Sequence, residues 1–486
     1  MSNTIIPHEE LLQTWSTTLE GYQKVKLSGI DVDGVLRGKL ISKDKFLSAI
    51  KSDGLGWCSV IFGWDIHDRT YLPELKISNR SNGYKDILAR VDLDSFRLIP
   101  WESSGSRTPF FLIDFFDPSS STTTPICACP RGLLKGILKR LADYKDGFKA
   151  VAGIEYEYFQ FKGTVFLVLF LDKNSAINQR QELHELVSID SWNARLFTLT
   201  TKLESRIFDA LFNNSLDFGI PIEGHHTETG PGVYETALEY QEALRMADNA
   251  ALFKLTAKSV GMKYGIIPSF MAKPYSHLPG CSGHIHISLW NKTGENVFQG
   301  TQSEPSWPEH TSRISIEAEQ FIAGLMTCLS DIIPCLIPTI NGYKRLVEGF
   351  WAATQVSWGL DSRLASVRII ALLIAIPKQR DSKSVYLYAL AAILAAGFYG
   401  IQHELSLKDF PPVSGSSTSS SKSPTTNALP STLQEATQRF MRVDSKARVI
   451  LGDEFVDHFG RTRENEWKLY TQAVTNWELE RYLELA

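Results

Sequence analysis

The chain has 486 residues, 43% of them hydrophobic and 21% charged, with a formal net charge of −4. That length is more than one ordinary core accommodates, so two domains, one of them large, are expected. The composition is that of an ordinary globular protein and excludes a disordered chain; without a basic excess or a Lys/Arg cluster it offers no nucleic-acid or anionic-membrane surface.

The N-terminal residues Met1 to Glu10 lack a basic region followed by an apolar core, so no secretory signal is expected. From Val25 to about Leu98 short β-rich runs alternate with Gly and Asp turns, and Lys26 to Lys39 reads as a hairpin, which predicts a small α+β sheet. Ser119 to Pro125 is a polar, Pro-bounded linker, and Pro130 opens a stretch with helical apolar spacing. The boundary placed there divides the chain into domains 1–122 and 123–486. The cysteines Cys58, Cys127, Cys129, Cys281, Cys328 and Cys335 form neither a CxxC pair nor a disulfide framework, which fits a reducing, cytoplasmic compartment.

Within Val151 to Phe161, Glu155 and Glu157 share one face of a predicted strand, and two like charges side by side suit a cation. Alternating Glu on a strand is also the ordinary pattern of a solvated face, so this segment alone leaves both readings open. Phe218 to Glu235 concentrates Glu223, His225, His226, Glu228 and Glu235 around a Gly/Pro-rich turn. Carboxylates are hard oxygen ligands suited to Mg²⁺ or Mn²⁺, and several on separate segments can hold ions that bridge nucleotide phosphates. After a Gly-rich turn, His284, His286 and Ser288 alternate on a strand and point one way, suiting a metal ligand and a phosphate contact. Arg345, Arg363 and Arg368 follow, with the chemistry of carboxylate and phosphoryl clamps. The apolar run Val385 to Ile401 falls short of the about 20 residues that span a bilayer, contains Gly397 and Gly400, and predicts a buried helix. Val413 to Thr432 is a Ser/Thr/Pro-rich loop or linker, and Leu433 to Arg448 and Glu464 to Leu485 are amphipathic helical stretches.

In order and spacing these blocks resemble glutamine synthetase of the type I superfamily, particularly its fungal branch. The resemblance extends to Arg37 to Lys39, Pro130 and Arg131, Ala391 to Gly397, and Val474 to Tyr482. It implies an α+β fold, with a small N-terminal β-grasp-like domain and a large catalytic domain whose curved antiparallel sheet carries the metal ligands. It further implies that Glu157, Glu228 and Glu235 hold one ion and Glu155 and His284 a second. Glu223, His286 and Ser288 would then face ATP, Gly280 and Arg345 would receive glutamate, and Arg363 and Arg368 would stabilise the transferring phosphoryl group. The implied cofactors are ATP and Mg²⁺ or Mn²⁺, and the implied assembly is a large ring-shaped homo-oligomer.

Three places depart from the family pattern. Where the family carries a third carboxylate ligand of the second ion, Ile369 to Tyr386 contains no Glu, so either that ion site is impaired or the segment comes from a misplaced splice junction. Gly163 to Leu199 does not resemble the family. Trp351 stands where ammonium-using members have a catalytic Glu, and Glu348, three residues earlier, does not substitute. The leading expectation is ligation of ammonia to glutamate; the rivals are γ-glutamylation of another amine and a catalytically inactive, ATP-binding homologue.

Overall fold

The computed structural model of the chain describes residues 8–52, 54–102, 107–119, 124–145, 147–162, 187–188, 205–228, 230, 232–300, 314–346, 352–370, 373–376, 385–410, 412 and 428–484. The expectations for Glu348 and Trp351, for most of 163–199, for 377–384, for 413–427 and for a boundary at 122/123 fall outside these residues.

The predicted hairpin is present as β1 (Lys24–Ile30) and β2 (Leu36–Ser42), paired antiparallel from Lys24 opposite Ser42 to Ile30 opposite Leu36. Asp31 organises the turn, its Oδ1 accepting the N–H groups of Asp33 and Val35 at 2.9 and 2.8 Å, while Gly34 takes the left-handed conformation at φ +75°. With β3 (Leu55–Cys58), β4 (Asp86–Ile99) and β5 (Thr108–Phe116) these strands form a sheet of order β2-β1-β5-β4-β3, parallel only between β1 and β5. Helices α1 (His8–Thr18) and α2 (Lys43–Lys51) supply Trp15, whose ring meets Phe96 and Phe111 of the sheet at 5.4 and 5.1 Å, and Phe46, which stacks on Phe111 at 4.7 Å.

After α3 (Pro130–Ala142) comes a larger sheet of nine strands centred on β6 (Lys149–Lys162). Its path runs β12 (Trp358–Leu360), β13 (Val367–Ile370), β14 (Leu373–Ile376), β11 (Gly283–Trp290), β6, β9 (Val233–Glu242) and β8 (Ile222–Thr227). β7 (Val187–Ser188) and β10 (Ile266–Ser269) also pair with β6. All pairs are antiparallel except β12 with β13, and the mixture of helices with these two sheets makes the molecule α+β. Part of the Glu-free segment thus supplies a strand, β14, between β13 and β11.

Period-two alternation decides what each face of β6 does. Ile154, Tyr156 and Tyr158 are buried; the rings of Tyr156 and Tyr158 pack on Phe253 of α5 (Ala243–Lys263) at 5.5 and 6.1 Å. Glu155 and Glu157, being out of phase, face away from that core. Beyond α5 lie α6 (Ile316–Leu336) and α8 (Tyr386–Gln402), the latter being the predicted buried helix. They cross at glycines, since a Cβ on Gly400 would stand 2.0 Å from the Gln320 carbonyl oxygen and 2.8 Å from Gly324 Cα. Among the described residues α6 is the one helix long and apolar enough to cross a membrane, and 78% of that window is buried inside the protein.

Arg131, on the first turn of α3, joins the first sheet to α5. Its guanidinium reaches Asp92 of β4 and Asp114 of β5 at 2.7 Å and Asp248 of α5 at 2.9 Å, and Lys135 pairs with the same two sheet carboxylates. The C-terminal helices differ from the sequence expectation. Leu433 to Arg448 is broken by the turn around Val443 into α9 (Leu433–Met441) and α10 (Lys446–Leu451), each with its own hydroxyl N-cap, Thr432 and Ser445. α11 (Asp453–Thr471) starts well before Glu464, and a capping box between Thr475 and Glu478 opens the separate α12 (Asn476–Tyr482).

Candidate active site

The outward face of β6 brings together groups that are far apart in sequence. Glu155 sits opposite His284 of β11 on one side and Ala237 of β9 on the other; Glu157 sits opposite Glu235 of β9. Ligand atoms of Glu155, Glu235 and His284 all lie within 4.8 Å of one another, the geometry a divalent ion requires. His284 Nδ1 and His286 Nε2 contact the two Glu155 oxygens at 2.6 and 3.2 Å. Burial by itself would raise the Glu155 carboxyl, but these two imidazole contacts outweigh it and hold the group well below the usual carboxylate range.

Glu157, 6% exposed, is oriented by Ser282, whose backbone N–H and hydroxyl donate to its Oε2 at 2.7 and 3.3 Å. Glu235 is 8% exposed, with His226 Nε2 3.7 Å from its Oε1. Glu228 lies two residues beyond His226, just past the end of β8, where its N–H donates to the Val233 carbonyl. His225 points to the opposite face, its ring tilted 4.7 Å from Phe208 of α4 (Ser205–Asp217) and stacked on Tyr234, with Nδ1 2.6 Å from the Thr236 hydroxyl; burial drives its pKa down to about 4 and keeps it neutral. Glu223 is exposed beside a bulge in β8 and is not part of the carboxylate cluster.

Along the β6–β11 ladder the cross-strand pairs run Glu155 with His284, Gly153 with His286, Val151 with Ser288 and Lys149 with Trp290. Ser288 is buried and accepts the Trp290 indole N–H at 2.9 Å. Beside the last two pairs opens a cavity of ≈ 550 Å³ lined by Phe148, Lys149, Val151, Trp290, Asn291 and Lys292. Six residues of extended chain put it roughly 20 Å from Glu155. In the other direction the ladder leads through Ser282 to Gly280, where a Cβ would stand 2.2 Å from the Ala272 carbonyl oxygen and 2.7 Å from Arg345 Cγ. The loop backbone therefore rests directly on the Arg345 side chain, which is 5% exposed.

Arg368 of β13 is opposite Ala375 of β14, and Ala375 is opposite His286, so Arg368 shares the face of the cluster two strands away. Its Nη2 lies 3.6 Å from Asp361, and its Nε is buried with no hydrogen-bond partner among the described residues. Arg363 is exposed in the connection between β12 and β13. The sequence marks His226 only as one member of a His/Glu-rich block, and nothing local marks Ser282, whose partner is 125 residues away.

Residues 127–482 match the profile of the glutamine synthetase catalytic domain. A Dictyostelium discoideum protein, "Type-1 glutamine synthetase 2", is 40% identical over 466 residues, covering 95% of this chain and 84% of that protein. A Pseudomonas protein, "Glutamate--isopropylamine ligase", is 31% identical over 466 residues, covering 95% of each. Among solved structures, a GmaS/ADP complex superposes with a TM-score of 0.75 at 24% identity, covering 97% of this chain and 99% of that one, which bears on the fold alone.

Proposed function

The chain belongs to the glutamine synthetase family of carbon–nitrogen ligases, and on that footing we propose that it uses ATP to join ammonia to the γ-carboxylate of L-glutamate, through γ-glutamyl phosphate, giving glutamine. The observation that carries this reading is the order of groups on one face of the β6–β11 ladder. A cavity of ≈ 550 Å³ lies at the Trp290 end, the Glu155, Glu235 and His284 cluster in the middle, and Gly280 against Arg345 at the far end. That is the sequence of needs of phosphoryl transfer from a nucleotide to a carboxylate: a base site, a charge-neutralising centre, and an anion clamp.

Each residue then has a defined task. Lys149, Trp290 and the buried Ser288 take the nucleoside end of ATP, and His286 and Glu223 flank its phosphates. Glu157, Glu228 and Glu235 hold one divalent ion, Glu155 and His284 the other. Mg²⁺ or Mn²⁺ in these sites supplies Lewis-acid neutralisation of phosphate charge. Gly280 and Arg345 orient the glutamate, and Arg368, with an unpartnered buried Nε, donates to the phosphoryl oxygens as charge develops; Arg363, on the connection before it, is assigned the same task. We place the protein in the cytoplasm as a ring-shaped homo-oligomer, with the six unpaired cysteines in support of a reducing compartment.

A second reading replaces ammonia by an organic amine. Two points favour it: by the resemblance Trp351 stands where ammonium-using members have a catalytic Glu, and relatives at 31% and 29% identity are named as a glutamate–isopropylamine ligase and a γ-glutamylethanolamide synthetase. The experiment is phosphate release by purified protein with ATP, Mg²⁺ and L-glutamate, comparing ammonium with isopropylamine, ethanolamine and polyamines. Faster release with ammonium supports glutamine as product, and preference for an alkylamine or polyamine transfers the assignment to that amine. No glutamate-dependent release with any amine overturns both readings.

A further inference from the structure

The loop that carries Gly280 is tied down in an unusual way. Its base is closed where the Cys281 N–H donates to the Ala272 carbonyl at 2.8 Å and the Cys281 thiol to the Met271 carbonyl at 3.1 Å. Across the loop, Lys273 Nζ donates to the Leu278 carbonyl at 3.1 Å. The backbone of Lys273 is in turn gripped by one side chain, Asn341. The Asn341 Oδ1 accepts the Lys273 N–H at 2.8 Å, and its Nδ2 donates to the Lys273 carbonyl at 3.0 Å. An amide is the side chain that offers a donor and an acceptor at this spacing, so it imitates one rung of a β-ladder.

Asn341 lies in the one-turn helix α7 (Ile340–Tyr343), which Thr339 caps by accepting the Gly342 N–H. Arg345 follows directly, its N–H bonded to the Gly342 carbonyl. The same short segment therefore presents both Arg345 and the amide that pins the loop resting on Arg345. Lys273 and Arg345 are close enough that burial, and then the Arg345 charge, lower the lysine pKa. Two cations so placed favour an anion between them.

We propose that Asn341 is a positioning residue for the substrate carboxylate: by clamping the Lys273 backbone it holds the 273–280 loop on Arg345, and so sets the geometry in which glutamate is received. The proposal rests on the reading that Gly280 and Arg345 receive glutamate. Without the amide, both Lys273 backbone groups turn to water and the loop lifts, while the nucleotide cavity at the opposite end of the ladder is untouched.

The test compares native protein with Asn341→Ala, Asn341→Asp and Arg345→Gln in steady-state ADP formation, with chymotryptic cleavage after Tyr275 as a second readout. Asn341→Ala is expected to raise the glutamate KM about tenfold or more, since small misplacements of positioning groups are costly, while the ATP KM stays within about twofold of native. Asn341→Asp keeps the acceptor for the Lys273 N–H and is expected to fall between the two; it carries the test if the alanine variant does not fold. Cleavage after Tyr275 should quicken in both variants, and glutamate should slow it in the native protein. An unchanged glutamate KM in the Asn341 variants, with Arg345→Gln raising it, overturns the clamp alone. Equal losses for glutamate, ATP and thermal midpoint reduce Asn341 to general packing and also overturn it. If Arg345→Gln leaves the glutamate KM unchanged, the carboxylate reading itself falls and takes the clamp with it.

Discussion

At the scale of single residues, the site is a problem in keeping carboxylates nearly out of water and pointed in a fixed direction. Glu157 and Glu235 are nearly buried; Ser282 donates twice to the first, and His226 Nε2 lies 3.7 Å from the second. Such outer contacts fix a carboxylate's direction before an ion arrives and raise affinity by cutting the ordering cost of binding. Glu235 is the group that the Glu155–His284 pair needs to complete a three-ligand centre, and it is also assigned to the neighbouring ion. Groups assigned to both ions thus lie within one cluster. Glu235→Ala or Glu157→Ala should therefore abolish Mn²⁺-dependent turnover, and calorimetry should find Mn²⁺ affinity lowered by about tenfold or more, as for loss of a ligand or its support. Turnover equal to native in either variant would end the assignment.

At the scale of elements, the catalytic sheet works because one side of β6 is anchored by close-packed helices. The crossing of α6 and α8 admits no side chain at Gly324 or Gly400, since backbone of each helix occupies the place of the other's Cβ. Gly400→Ala must push two main chains apart, and overpacking of this kind costs about 1–3 kcal/mol, with backbone contacts toward the upper end. A thermal or urea midpoint equal to native in Gly400→Ala would show the crossing to be looser than drawn. Elements whose signal is local were legible from the sequence. The β1–β2 hairpin declared itself through Asp31 to Gly34, Glu155 and Glu157 through alternation, and α8 through its apolar run. What was not legible depends on partners far along the chain. The Asn341 amide finds Lys273, 68 residues away, and Ser282 finds Glu157, 125 residues away. The helix expected from Glu464 begins at Asp453, directly after Gly452, whose φ of +90° turns the chain from α10 into α11.

At the scale of the whole molecule, buried polar groups decide how the parts stay together. Arg131 of α3 binds two carboxylates of the first sheet and one of α5, and Arg463 of α11 ties the first hairpin to the catalytic part by pairing with Asp33 while donating to the Pro338 carbonyl at 2.8 Å. Each of these buried guanidinium groups has carboxylate partners. His458, also on α11, behaves differently. It is 5% exposed, neither ring nitrogen has a hydrogen-bond partner among the described residues, and burial depresses its pKa from the usual 6.5 to about 4. In the unfolded chain the ring takes up a proton below pH 6.5, whereas in the folded protein it stays neutral until about pH 4. Between those values the unfolded state binds more protons, so the contribution of His458 is complete above pH 6.5 and is lost as the pH falls toward 4. The loss is on the order of 3 kcal/mol for a displacement of this size. His458→Leu removes the titrating group while keeping an apolar side chain in the same place. Urea midpoints measured at pH 7 and pH 4.5, at one protein concentration so that subunit association does not intervene, should fall less in the variant than in the native protein. An equal fall in both would show that the acid sensitivity of the fold lies elsewhere, with the carboxylate networks around Arg131 and Arg463 as the groups to vary next.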